Sequence, residues 1–234
     1  CPPSAMDSSS LRMLLGGGRP RERPDGADPN LRFYRNEIES EPHGELIDVI
    51  HRPRQDGGWD GDFDLLEEHH GYIQWLFPVF ENAGMNFDSW PLSKEGAAAI
   101  RADTAASERV IRSYRLILRF FGLQLVDEQT GRLDRDPQVF RWQMDNLHSS
   151  AHNWLRVSRI ITSLGELGFQ RYKAPLLARL REEVDAGTLA KARRSLEEFW
   201  RPLVDEEDSR EYAAKTLEVP EDREEGCLFK PGGR

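Results

Sequence analysis

An all-α, compact multi-helix single domain is the fold class this sequence predicts, with at most one minor β-hairpin and with disordered termini. Three observations carry that prediction. Apolar residues recur at three- and four-residue spacing through the middle of the chain, Asp, Pro, Thr and Gly punctuate the periodic stretches, and Pro, Gly and charge concentrate at the two ends. The 234 residues carry 32 Lys plus Arg against 41 Asp plus Glu, a formal net charge of −9, with 38% hydrophobic and 31% charged residues. Charge above the usual ~25% and a mean hydropathy of −0.66 argue against an integral membrane protein. The longest uncharged apolar stretch, Gly71 to Phe80, stops at Glu81, short of the roughly 20 residues a spanning helix needs.

Taken in order, residues 1–29 combine Pro2, Pro3, Pro20, Pro24 and Pro29 with a Gly16–Gly18 run, a composition that buries too little surface to offset ordering entropy and reads as a disordered leader. The folded unit is expected over residues 30–203, and 204–234 reads as an acidic, loosely ordered tail. Asp62 to Phe80 is too rich in large apolar side chains for a surface helix. Gly71 and Pro78 interrupt it, so a short helix, a bend and a buried aromatic segment are expected. Val110, Ile111, Tyr114, Ile117, Leu118 and Phe121 fall within a sector of about 120°, the stripe of a core-facing helix. Leu123 and Leu125 alternate ahead of Thr130-Gly131, which predicts the small hairpin between Gly122 and Leu133. Asp136-Pro137 opens a further helix as N-cap and first-turn proline. Trp154, Val157, Ile160, Ile161 and Leu164 form a second stripe, and Leu176, Leu177, Leu180 and Val184 a third behind Pro175. Gly187 closes that helix, and Thr188 is expected to cap a last one with Leu189, Ala192, Leu196, Phe199 and Leu203 on one side.

Chemistry-bearing clusters are few. Glu67, Glu68, His69 and His70 are consecutive, so a helix would point them about 100° apart and one ion could not collect them. His148 and His152 share a face at i and i+4, a spacing that can hold a metal but that helix packing explains equally. With no HExxH or CxxC, no metal site is expected. Cys1 and Cys227 stand at opposite ends and make no disulfide framework, which favours a reducing compartment. No P-loop, GxGxxG, Ser-His-Asp, Cys-His or paired-carboxylate arrangement stands out, so neither a cofactor nor an enzymatic activity is expected. Arg101, Arg112, Arg115 and Arg119 are read as one row, within a sector of roughly 60° on the helix bearing the first apolar stripe. Such a row could face an acidic partner, or pair with local carboxylates, while a pI near 5.3 opposes non-specific nucleic-acid binding.

The string His70-Gly71-Tyr72-Ile73-Gln74-Trp75-Leu76-Phe77-Pro78 resembles the signature of the opioid growth factor receptor family. Asn30 to Tyr34, Ser113 to Leu133, His152 to Ile160, Leu164 to Gly168 and Ala174 to Leu176 are similar to further family segments in the same order, with Trp154 standing where a second Asn is expected. The resemblance implies a receptor for the pentapeptide met-enkephalin, unrelated in structure to seven-helix opioid receptors. It further implies growth regulation at the nucleus and nuclear envelope periphery or in the cytoplasm, not secretion, with peripheral membrane association and protein partners that include the import machinery.

A pentapeptide with a free amine, a Tyr and a Phe asks for a carboxylate and two apolar slots. The expected site is the Glu67 to Phe80 surface, with Glu67 or Glu68 taking the amine and Tyr72 or Trp75 lining a slot. The alternative is a helical protein-interaction scaffold without peptide-receptor activity, using the Arg101, Arg112, Arg115 and Arg119 face.

Overall fold

The computed structural model describes residues 28–81 and 89–218. The leader read as disordered lies outside the described residues up to residue 27, as does the tail beyond 218. Chain order gives α1 (Pro29–Tyr34), α2 (Ile47–Ile50), α3 (Phe63–Glu68), α4 (Tyr72–Leu76), α5 (Lys94–Ala102), α6 (Thr104–Phe120), β1 (Leu123–Leu125), β2 (Leu133–Arg135), α7 (Phe140–Ser149), α8 (Ala151–Glu166), α9 (Lys173–Asp185), α10 (Arg193–Ser195) and α11 (Glu206–Glu218). The fold is all-α with one two-stranded antiparallel hairpin, in which Leu123 faces Arg135 and Leu125 faces Leu133. At its turn, Gly131 adopts φ 78°, and an added Cβ would come within 2.6 Å of the Arg171 carbonyl, so this position requires glycine.

α6 is the central element and packs against α1, α5, α7 and β1. Its inward residues Val110, Tyr114, Ile117 and Leu118 are fully buried, as are Val157, Ile160, Ile161 and Leu164 of α8 and Leu180 and Val184 of α9. Each stripe follows from 3.6-residue periodicity, and burying these side chains contributes roughly 1.5–3 kcal/mol apiece. Caps start the helices where short polar side chains stand. Asp28 accepts from the Asn30 and Leu31 amides, Asp62 from Leu65, Ser93 from Gly96 and Asp103 from Ala106. Ser93 Oγ also donates to Asp28 at 2.9 Å, tying the starts of α1 and α5 together.

Four details differ from the sequence expectations. Asp28 already belongs to the folded unit, and α11 extends helix through 206–218, with Val204 buried and Tyr212 packed on the core, so the described helical unit runs past residue 203. α7 starts at Phe140 rather than at Pro137: Asp136 does accept from the Gln138 amide at 2.9 Å, but residues 137–139 form a separate turn. Thr188 caps no helix, since Leu189 stands at the start of the following turn without a side-chain cap bond. Beyond it the expected single helix is a 3-10 turn (Ala190–Ala192), α10, a π-turn (Leu196–Trp200) and a second 3-10 turn (Arg201–Leu203). The wide π-turn shifts the register, so Trp200 is fully buried and donates its Nε1–H to the Trp154 carbonyl at 3.1 Å, while Phe199 and Leu203 are only partly covered.

Candidate functional site

The distinctive 66–78 segment is held by α8. Arg156, Arg159 and Ser163 recur on one face of that helix, and each bonds a main-chain carbonyl of the segment. Arg156 donates to Leu66 at 2.9 Å and to Glu67 at 3.2 Å, satisfying carbonyls at the end of α3 that have no partner within the helix. Arg159 donates to Phe77 at 2.8 Å, and Ser163 Oγ to Pro78 at 2.7 Å. Tyr34 donates its hydroxyl to Leu76, and Trp75 its indole N–H to Glu41 at 3.0 Å. The bend that Gly71 and Pro78 impose on this stretch is thus satisfied by side chains from distant elements.

Glu67 is the hub of this clamp. Its Oε2 accepts from the Asn146 and Asn153 side-chain amides, both at 3.0 Å, and its Oε1 lies 2.8 Å from His152 Nε2. The Arg156 guanidinium stands 4.0 Å away, between the Tyr72 and Phe120 rings at 5.6 Å each. Burial raises the Glu67 carboxyl, but the two amides and the positive charges outweigh it and hold the group below its ordinary value. Both Glu67 oxygens are therefore occupied inside the fold, a use that sequence spacing did not reveal. Tyr72 and Trp75 are both buried, at 0% and 1% exposure; Tyr72 donates its hydroxyl to Leu66 at 3.0 Å, while Trp75 sits in the wall of a cavity described below. Glu68 is exposed and borders neither cavity described below.

The histidines regroup: His148 lies at the end of α7 and His152 at the start of α8, so they do not share one helix face as the i, i+4 spacing suggested, and His152 joins Glu67 instead. His69 Nδ1 accepts from the Gly71 amide at 3.2 Å, His70 meets the His152 ring at 5.8 Å, and the buried His148 Nδ1 has no partner. Among the described residues no three of His, Cys, Asp and Glu gather as a metal-holding group.

A cavity of about 840 Å³ opens between α1, the 37–46 loop, α4 and Trp90. Its wall carries Glu37, Glu39 and Glu41 beside Ile38, Trp75 and Trp90, with Arg32 at the α1 side. The loop is preorganised. Asn36 and His43 hold the left-handed conformation at φ 64° and 54°, which costs a non-glycine residue energy unless its surroundings impose it. Asn36 Oδ1 accepts from the Asp48 amide at 3.0 Å, and Ser40 and Glu45 exchange backbone and side-chain bonds. Glu37 meets Arg32 only at 3.6 Å, with both side chains near half exposed, and Glu39 enters no ion pair among the described residues. Sequence reasoning missed this wall because its acids lie on a loop without periodicity, more than thirty residues before Trp75.

The arginine row is split. Asp103 caps α6 and ends α5, so Arg101 belongs to α5, where it reaches the Leu167 carbonyl at 3.3 Å, apart from Arg112, Arg115 and Arg119. Those three line a second cavity of about 350 Å³, with His51, Asp60, Leu116, Leu123, Leu125 and Asp136. Arg119 donates to Asp60 at 3.1 Å and lies 3.7 Å from Asp136, Arg115 pairs with Glu128 at 2.8 Å, and Arg112 stands 3.8 Å from Asp48.

These elements define a helical domain with a carboxylate-centred internal clamp and two chemically opposite surface cavities, one acidic and aromatic, the other basic. Residues 23–221 match the family described as the opioid growth factor receptor conserved region, and the chain belongs to that family. It is 45% identical over 154 residues to opioid growth factor receptor of Mus musculus, covering 66% of this chain and 23% of that protein. It is 41% identical over 159 residues to the Homo sapiens protein of the same name, covering 68% and 22%. To opioid growth factor receptor-like protein 1 of Xenopus tropicalis it is 37% identical over 197 residues, covering 82% and 37%. The chain therefore spans well under half the length of these relatives. No solved structure matches it. Among the described residues no helix is long and apolar enough to cross a membrane.

Proposed function

We propose that this domain is a non-enzymatic binding module for a short opioid-type peptide such as met-enkephalin, seated in the acidic and aromatic cavity. The observation that carries the reading is the juxtaposition of the Glu37, Glu39 and Glu41 carboxylates with the partly exposed Trp90 indole on one preorganised wall, backed by the buried Trp75. A zwitterionic pentapeptide would set its ammonium against Glu37 and Glu39, its rings against the partly exposed Trp90 and Ile38, and its terminal carboxylate toward Arg32. A volume of about 840 Å³ suits a ligand of that size, since such clefts run to roughly 300–1,000 Å³. The relatives' names supply the word receptor. The proposal extends to growth regulation at the nucleus on family resemblance alone.

Calorimetric titration of met-enkephalin into the full chain, with a scrambled pentapeptide as control, tests the reading. Saturable binding to the authentic peptide, weakened roughly tenfold by Glu37→Gln with Glu39→Gln at unchanged Tm, is the expected result. No saturable heat, or equal heat from the scrambled peptide, would remove it.

A further inference from the structure

The second cavity shares no lining residue with the first, and what it could hold is independent of the peptide reading. Its three guanidiniums differ in how far local carboxylates neutralise them. Arg119 has both Asp60 and Asp136. Among the described residues Arg115 pairs with Glu128 alone, in a pair about half exposed on both sides, which water screens strongly. Among the described residues Arg112 has a 3.8 Å approach to Asp48 alone, whose two oxygens are already taken by Arg109 at 2.8 Å each. Arg112 and Arg115 stand at i and i+3 on α6, so their side chains leave the helix as neighbours. Two weakly paired positive charges thus border one recess, in a chain whose net charge is −9.

The remaining walls narrow the ligand. Leu116 and Leu123 are buried beneath the guanidiniums, and Leu125 continues that apolar surface along β1. His51 lies at the inner side, with Nε2 2.9 Å from Ser113 Oγ, while its buried Nδ1 has no hydrogen-bond partner. An orphaned buried ring nitrogen is costly, and an anion beside it would satisfy it in the tautomer in which Nδ1 carries the proton and Nε2 accepts from Ser113.

We infer that this cavity binds a phosphate monoester on an apolar body, with Arg112 and Arg115 clamping the phosphate and Leu116, Leu123 and Leu125 receiving the carbon portion. A phosphate monoester carries a charge of about −1.5 to −2 at neutral pH, which matches two weakly paired guanidiniums better than a carboxylate does. Guanidiniums offer planar forks that bond phosphate oxygens in pairs, so lysine would not substitute equally. The charge that repels an extended nucleic acid acts over the whole surface, whereas a dianion in this cavity meets three guanidiniums against the two carboxylates of Asp60 and Asp136, which Arg119 already pairs.

The probe is phenyl phosphate, titrated into the full chain by calorimetry and by NMR of the histidine rings, with phenyl sulfate, benzoate and inorganic phosphate alongside. A phosphotyrosine peptide and its unphosphorylated form make a second arm, which separates a phosphorylated side chain from a small-molecule ester as the source. Saturable binding of either phosphate ester is expected, with the sulfate weaker by roughly tenfold and the His51 resonances displaced. Arg112→Gln and Arg115→Gln should each weaken binding roughly tenfold at unchanged Tm. Glu128→Gln should tighten it a few-fold by releasing Arg115 from its competitor, a gain that impaired folding could not produce. Equal, non-saturable responses to every anion, or affinity indifferent to both arginine substitutions, would overturn the proposal.

Discussion

The Glu67 hub and the Arg112–Arg115 pair are both charged, both helical and both conspicuous in the sequence, yet the fold uses them in opposite ways. Glu67 is surrounded by two amides, an imidazole and a buried guanidinium, and each oxygen is taken. Arg112 and Arg115 each meet one carboxylate that is distant, exposed or already occupied. A charged side chain acts as a strut when the fold consumes its hydrogen-bonding capacity and as a docking point when capacity is left over. Residue type does not separate the two cases.

The largest expected effect comes from breaking the strut. Glu67→Ala leaves the Asn146 and Asn153 amides and the buried Arg156 guanidinium without their carboxylate, and should cost about 2–4 kcal/mol in chemical denaturation. Glu68→Ala, one position on and exposed, should change stability by less than about 0.5 kcal/mol. Similar losses at both positions would collapse the distinction.

An intermediate effect is expected at His51, behind the arginine pair. Burial first, and the Arg112 charge second, push its imidazole down from 6.5 to about 3, so the ring is neutral in the folded protein. The unfolded chain takes up that proton as pH falls below about 6.5, and the folded chain does not. Stability from this group is therefore fully present above that pH and declines as pH falls toward about 3, by up to about 1.4 kcal/mol per unit. Glu166 runs the other way, because burial raises its carboxyl and protonation relieves the folded state. Asp48, held down by its bond to Arg109, and Glu67 and Glu183, held down by their partners against burial, lose their contributions at lower pH. His51→Gln should flatten the stability profile between about pH 6.5 and 5 relative to the parent chain. Parallel profiles would show that His51 carries none of the slope.

The smallest effect sharpens the other side of the comparison. Arg112→Gln and Arg115→Gln should each shift stability by no more than about 0.5 kcal/mol, since exposed or long pairs contribute little. A loss of several kcal/mol at either would make the row a strut like Glu67.

Helices with a wide apolar stripe were legible from the sequence. α6, α8 and α9 bury the stripes that periodicity marked, and the hairpin falls where Leu123 and Leu125 alternate before Gly131. α11 was not legible, because its Asp- and Glu-rich first turn reads as tail and its packing rests on a few residues such as Tyr212. The π-turn was not legible either, since a shift of one residue in register depends on where Trp200 finds room beside Trp154. Arg101 was assigned to the wrong helix because the break at Asp103-Thr104 was not read, although Asp is a preferred N-cap and Asp103 does accept from the Ala106 amide.

For the candidate sites, Trp75 and the trio Arg112, Arg115 and Arg119 were visible as residue types in a pattern, and the family was visible in the 70–78 string. Local periodicity, capping and composition determined by themselves the all-α class and the central helices, and the resemblance of the 70–78 string and the other matched segments pointed to the family. Only the tertiary structure decided that Glu67 is spent inside the fold, that Glu37 and Glu39 share a wall with Trp75 and Trp90, and that Arg112 and Arg115 are left weakly paired. The physical reason is range. Helix formation follows from neighbours within a turn or two, whereas the pairing of a charge depends on which distant side chain arrives beside it when the core closes.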